Sequence, residues 1–196
     1  MSEKLNHESE PTEQVDLNEP GMRTRRIFNP DDAMVAEIYQ LERACFPEEM
    51  METEEELGDV LKTEGVHILI EDEKGIFGHI SAVDHNIECD FMKDYDPDYM
   101  PLENALYVET LDIMQGRNNL QGLGRPKALE MLWVKFVEEA VASGYKKATM
   151  YARKSNGESK IIQKKLGGKY FRTMKNWLDM GEDFDYLEVD LLERQK

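Results

Sequence analysis

The seven residues Asn119-Leu120-Gln121-Gly122-Leu123-Gly124-Arg125 stand between an apolar run, Ala105–Met114 (ALYVETLDIM), and a helical one starting at Pro126. Backbone N–H groups at a helix N-terminus lack intrahelical partners and sit at the positive end of the helix dipole. A glycine-rich loop at that place can therefore cradle a phosphate. Gly122 and Gly124 would let the anion approach the backbone with no Cβ in the way. The same pattern also makes an ordinary turn, and both readings stand on these residues alone. It is not a Walker loop, because no Gly-Lys-Ser/Thr follows. It is not the dinucleotide fingerprint either, because Ala128 lies near where a third glycine would be. Histidines 7, 67, 79 and 85 show no ligand spacing, so no metal is expected. His79, on an alternating strand, reads as a packed histidine or, alternatively, as a base.

The elements that must position this loop follow from periodicity and punctuation. Arg23–Phe28 reads as a first strand. Asn29-Pro30-Asp31-Asp32 reads as a helix start, with Asn29 as N-cap, Pro30 at the first helical position and acids in the first turn. Val35, Ile38, Leu41 and Cys45 recur at helical spacing until Phe46-Pro47. Thr53-Glu54-Glu55-Glu56 is a capping box for a short second helix ending at Gly65. Val66–Ile70 and Ile76–Val83 flank a charged turn and predict a hairpin. Residues 84–104 read as a long irregular loop. Then come the strand at Ala105–Met114, a helix over Pro126–Ala142, a strand at Lys147–Ala152 and a helix over Gly157–Leu166. Strands at Tyr170–Thr173 and Tyr186–Leu191 close the chain. The order predicts one mixed α/β domain over residues 23–196, built on one sheet.

The chain has 196 residues with 41 acids against 24 bases, a formal net charge of −17. That balance argues against a protein that coats duplex DNA. No apolar run approaches a membrane span, and the first residues contain no secretory h-region, so a cytoplasmic protein is expected. Two cysteines, Cys45 and Cys89, make no disulfide framework. Residues 1–20 hold six acids, one base and no aromatic side chain, so residues 1–22 are expected to be an acidic disordered tail. The remaining charge is uneven. Residues 146–169 carry eight bases and one acid, and residues 115–127 carry three bases and no acid. Residues 48–59 carry seven acids and no base, and residues 84–103 carry seven acids and one base.

The stretch 119–124 resembles motif A of the GNAT superfamily of acyl-CoA-dependent N-acetyltransferases. Three other pieces agree in order. Glu42-Arg43-Ala44-Cys45-Phe46-Pro47 is similar to the E-x-x-x-F-P end of the first helix in several members. Gly75–Ile80 is similar to the hairpin of the second and third strands. Ala152–Asn156 with Lys165-Leu166-Gly167 resembles motif B. Together these span about residues 23–192.

The resemblance implies a mostly antiparallel sheet splayed between the fourth and fifth strands, helices on both faces, and acetyl-CoA as cosubstrate in the splay. Amides from Asn119, Leu120, Gln121, Gly122, Leu123, Gly124 and Arg125 would bind the pyrophosphate. Ile113 and Met114 would pair with the pantetheine arm, and Asn156 would hydrogen-bond it. The basic segments suit that anionic cofactor. The reaction would be aminolysis of a thioester, which needs a deprotonated amine. Glu109 is the candidate base, and the N–H near Met114 the candidate donor to the oxyanion. Gln163 stands where the family often has a tyrosine acid, so Tyr151, Tyr170 or water would have to replace it.

The acidic segments would border the acceptor cleft, so the expected acceptor is a cationic primary amine, on a small molecule or a basic peptide. A monomer or homodimer without nucleic-acid or membrane partners is expected. Two other readings remain open at this point: a GNAT-like domain that binds acyl-CoA or a protein without turnover, and an acidic nucleic-acid mimic.

Overall fold

The hairpin at the centre of the molecule forms where a buried run, Val66–Ile70, gives way to Glu73-Lys74-Gly75. Asp72 Oδ1 accepts from the Lys74 N–H at 2.7 Å, and Gly75 adopts φ +106°, which side-chain-bearing residues rarely do. The Ile76 N–H donates to Glu37 Oε1 at 2.9 Å, tying the turn to the first helix. This computed structural model describes residues 16–19, 21–87, 89–114 and 125–194.

In chain order the elements are β1 (Asp16–Glu19), β2 (Met22–Ile27), α1 (Asp32–Cys45), α2 (Glu54–Lys62), β3 (Gly65–Asp72) and β4 (Gly75–Asp84). They continue with α3 (Cys89–Tyr95), β5 (Ala105–Ile113), α4 (Arg125–Ala142), β6 (Lys147–Arg153), α5 (Glu158–Ile161), β7 (Lys169–Met174) and β8 (Phe184–Asp190). One eight-stranded sheet runs β1-β2-β3-β4-β5-β6-β8-β7. All neighbours are antiparallel except β5 and β6, which are parallel. The mixed α/β architecture expected from the sequence is therefore present, with helices on both faces.

α1 and α2 bury Val35, Ile38, Leu41, Leu57 and Leu61 against Leu69 and Ile76 on one face. α4 buries Leu132, Phe136 and Ala140 against Ile68, Ile80 and Leu106 on the other. A third cluster, around Met92, Tyr99, Tyr107 and Trp177, packs α3 over β5 and β8. Among the described residues no helix is long and apolar enough to cross a membrane. Neither Cys45 nor Cys89 is in a disulfide.

Three local expectations are corrected, and a fourth is refined. The cap of α1 is Asp31, not Asn29: its carboxylate accepts from the Met34 N–H at 2.8 Å. Residues 84–104 are not wholly irregular, because Cys89 and Met92 point inward from a two-turn helix. The expected helix over Gly157–Leu166 is present, its second half wound as a π-turn, Ile162–Leu166, that ends on Gly167 in the left-handed region. The sheet also reaches into the segment expected to be a tail: β1 pairs with β2, and Met22 is buried. Backbone pairing needs no apolar composition, so the charge count of residues 1–22 could not exclude that strand. The capping box at Thr53 forms as its spacing predicts, with Thr53 and Glu56 bonded reciprocally.

Candidate functional site

β5 and β6 pair over three residues only, Ala105–Tyr107 against Lys147–Thr149. Beyond that seam the strands part, and a cleft of about 1570 Å³ opens between them. Its walls include Val108, Glu109 and Ile113 of β5 and Met150, Tyr151 and Ala152 of β6. Residues of α4 and α5 line it on one side of the sheet, and residues of α1 and α3 on the other, so it passes through the sheet plane. The register of β4 against β5 slips between Ser81↔Thr110 and Ala82↔Val108, so Glu109 is the extra residue of a β-bulge. A bulge re-aims the strand where the ladder ends, which places the Glu109 side chain at the cleft.

The residues singled out from the sequence fare differently. Glu109 and Ile113 line the cleft. The N–H of Met114 does not point into it: it donates to the Phe77 carbonyl at 2.9 Å, continuing the β4 ladder. Met114 is thereby removed as the oxyanion donor. Asn156 is also spent locally. Its carboxamide donates to Glu158 Oε1 at 2.6 Å and accepts from the Glu158 N–H at 3.0 Å, opening α5. Glu158 lines the cleft there. Asn119, Leu120, Gln121, Gly122, Leu123 and Gly124 lie outside the described residues, and Arg125 is the first residue of α4.

Of the two phenols expected to replace a tyrosine acid, Tyr151 lines the cleft. Tyr170 is exposed on β7, near Thr173. The Tyr151 hydroxyl donates to Asp96 Oδ2 at 2.5 Å. Burial, and then that bond to a carboxylate, push its pKa above the ordinary phenol range, so Tyr151 keeps its proton. Asp96 is 1% exposed and is ion-paired with Arg172, whose guanidinium also lies 4.1 Å over the Tyr186 ring. Gln163 donates to Ser159 Oγ at 2.9 Å.

A buried polar stripe crosses the sheet beneath α1 and α2. His67 Nδ1 pairs with Ser81 Oγ at 2.9 Å, and its Nε2 pairs with the Thr63 carbonyl at 3.2 Å. Further along, His79 of β4 stands opposite Asp112 of β5, and Glu42 of α1 lies over both. Glu42 is 5% exposed, and its pKa is pushed up to about 7 by burial and then by Glu52, against a hydrogen bond from Thr110. Burial, and then Glu42, raise Asp112 well above the carboxylate range, although the backbone N–H groups of His79 and Asp112 pull the other way. Burial, and then His67, hold His79 down to about 3. Glu42 was quoted from the sequence only as part of a motif. The signal for more was a carboxylate at an apolar position: Val35, Ile38 and Glu42 share the buried face of α1.

His85 begins the turn after β4 and is fully buried, stacked on Tyr99 with ring centroids 4.4 Å apart and 1° between planes. Burial pushes its pKa down to about 4, against the pull of Asp84. The unfolded chain takes up a proton near pH 6.5 that the folded chain refuses until about pH 4. Stability is therefore lost as pH falls through that window, by up to about 3 kcal/mol from this group. His85→Phe keeps the stack and is expected to make the stability profile shallower by about one proton between those limits. Denaturant unfolding at several pH values measures this, and identical slopes in parent and variant would count against it.

The segment charges translate into the site only in part. Among the described bases of residues 146–169, Lys165 lines the cleft; Lys147 and Lys154 pair with Glu188 and Asp185 on β8. Lys127 and Arg194 line the same side, as do Glu130 and Glu138. On the α1 side Glu42 and Glu52 line it, with Met50, Met51, Phe91 and Met92. Counting charges along the chain missed that strands send alternate side chains to opposite faces.

No protein-family model matches the chain, and no curated protein matches it either. Solved structures do. The crystal structure of aminoglycoside 6'-acetyltransferase type Ii superposes with a TM-score of 0.64 at 13% identity, covering 86% of this chain and 96% of that one. The ribosomal-protein-S18-alanine N-acetyltransferase from Escherichia coli gives 0.61 at 11% identity, over 87% and 94%. A protein from Salmonella typhimurium, solved with its cofactor acetyl-CoA, gives 0.61 at 14% identity, over 88% and 95%. At these identities the likeness is one of fold, and it is the GNAT fold that the sequence motifs resemble.

Proposed function

We propose that this chain, which has the fold of the GNAT N-acetyltransferases, transfers an acetyl group from acetyl-CoA to a primary amine. The observation that carries the reading is the parting of β5 from β6 after three residue pairs, which opens one cleft through the sheet. A thioester entering from the α4 side and an amine entering from the α1 side would meet beside Glu109. The amine nitrogen bonds to the thioester carbonyl carbon, and the carbon–sulfur bond breaks. The amine proton passes to Glu109, directly or through water, and the CoA thiolate leaves to take up a proton.

The acceptor wall of methionines and aromatic rings, with Glu42, Glu52 and Glu109 beside it, fits an amine carried on a partly apolar, cationic body such as a basic peptide. Methionine-rich walls adapt to varied side chains, and the carboxylates attract the ammonium form before it is deprotonated. Gln163 favours a second reading, a domain that holds acyl-CoA without turnover, because a carboxamide cannot protonate a thiolate.

Release of free CoA thiol, measured across basic peptides, polyamines and aminoglycosides at low and high salt, tests the proposal. Turnover is expected, with kcat/KM falling as salt rises. Acetyl-CoA binding by calorimetry without thiol release from any acceptor would establish the second reading. No binding up to the order of 1 mM acetyl-CoA overturns both, since that corresponds to only about 4 kcal/mol of affinity.

A further inference from the structure

Glu42, His79 and Asp112 come from α1, β4 and β5, and each is buried: 5%, 0% and 3% exposed. One ligand atom from each lies within 4.8 Å of those of the other two. Neither nitrogen of His79 has a hydrogen-bond partner among the described residues, and the Asp112 carboxylate meets no side-chain donor there, only the pull of the backbone N–H groups of His79 and Asp112. A buried polar atom left unpaired costs about 1–3 kcal/mol, and both nitrogens of His79 are in that state, facing two buried carboxylic groups. Packing does not account for this. His67, two positions away on the same face, satisfies both of its nitrogens on Ser81 and Thr63.

We infer that Glu42, His79 and Asp112 form a binding site for a first-row divalent cation, with Zn2+ the best match. One imidazole nitrogen and two carboxylate oxygens are the ligand types such ions take. With bonds of about 2.1 Å, such an ion spaces its ligands roughly 3–4 Å apart, so the three side chains, within 4.8 Å of one another, need to close by up to about 1–2 Å. Two carboxylates cancel the charge of a divalent ion, which a buried site requires. Glu42 also lines the cleft, which gives the ion a path from solvent and leaves a position for water as a further ligand. The bound ion ties α1, which carries part of the acceptor wall, to the two strands beneath it. The site shares Glu42 with the acceptor wall, but its assignment rests on the three buried side chains and not on the acetyl-transfer reading.

The sequence predicted no metal because its histidines lack ligand spacing along the chain. The set is assembled instead by a cross-strand pair, His79↔Asp112, and by a helix placed over it.

Co2+ reports such a site through its visible absorption. Full-length protein, stripped with chelator, is expected to bind a single equivalent of Co2+, and Zn2+ is expected to displace it. His79→Gln and Asp112→Asn are each expected to weaken binding about tenfold or more. Zn2+ is expected to raise the Tm of the parent and to leave that of the variants unchanged. Absence of saturable binding of either ion, or equal affinity in the parent and both variants, overturns the site. Should the variants not fold, X-ray absorption of the Zn2+ form of the parent decides. One imidazole with oxygen donors supports the assignment; a sulfur donor from Cys45 or a shell without imidazole overturns it.

Discussion

Glu109→Gln is expected to lower kcat/KM for amine acetylation by about 10²- to 10⁴-fold, the range typical of losing a general base. Gln preserves the size of the side chain and its place in the bulge of β5, so the cleft and the binding of acetyl-CoA should be unchanged. What disappears is the acceptor for the amine proton. The role can be separated from mere positioning by varying the acceptor. An amine whose pKa lies below the assay pH arrives already neutral and should lose much less rate in the variant than a lysine-like amine. Equal losses for both acceptors would assign Glu109 to orientation, and unchanged turnover would remove it from the mechanism.

The second large effect concerns Asp96. Its carboxylate is buried at 1% exposure, pairs with Arg172, accepts from Tyr151 and also holds the Asp98 N–H at 3.1 Å. Arg172→Met leaves that charge in the interior without its cation, which costs about 3–5 kcal/mol for buried pairs. The double variant Asp96→Asn/Arg172→Met removes both charges and should cost little more than either single change. A double-mutant cycle by urea unfolding measures the coupling. A cost under about 1 kcal/mol for Arg172→Met would place the pair among ordinary surface ion pairs. Because Asp96 follows directly on α3, loosening it also moves Phe91 and Met92 in the acceptor wall. KM for the acceptor should therefore rise more than KM for acetyl-CoA.

The sequence carried the elements well and the side-chain geometry poorly. Two apolar runs, Val66–Ile70 and Ile76–Val83, flanking a charged turn that ends in Gly75 marked the β3–β4 hairpin, and the Thr53–Glu56 spacing marked the start of α2. Both depend on local chemistry, which a sequence displays directly. The bonds of Met114 and Asn156 were not legible, because strand register and a two-residue side-chain cap decide where their polar groups point. Neither is fixed by residue type. Asp96 looked like one acid among seven in a solvated loop; its burial depends on Arg172, 76 residues further on. The Glu42–His79–Asp112 cluster was out of reach for the same reason, since the three positions are brought together only by folding. A glutamate among the apolar positions of α1 was its one visible trace.

The seam between β5 and β6 gives the molecule a mechanical character. Five strands stand on one side of it and three on the other, joined at one end by three residue pairs and by the Thr149 hydroxyl donating to the Leu106 carbonyl at 3.2 Å. The two plates share a short hinge line, and the cleft is the mouth of a wedge whose apex is Tyr107 and Thr149. A body that fills the mouth bears on the apex with the leverage of the strand length beyond it. Tyr107 is packed in the apex by the edge of the Tyr151 ring, 6.2 Å away between centroids, so the same aromatic side chain lines the mouth and braces the hinge.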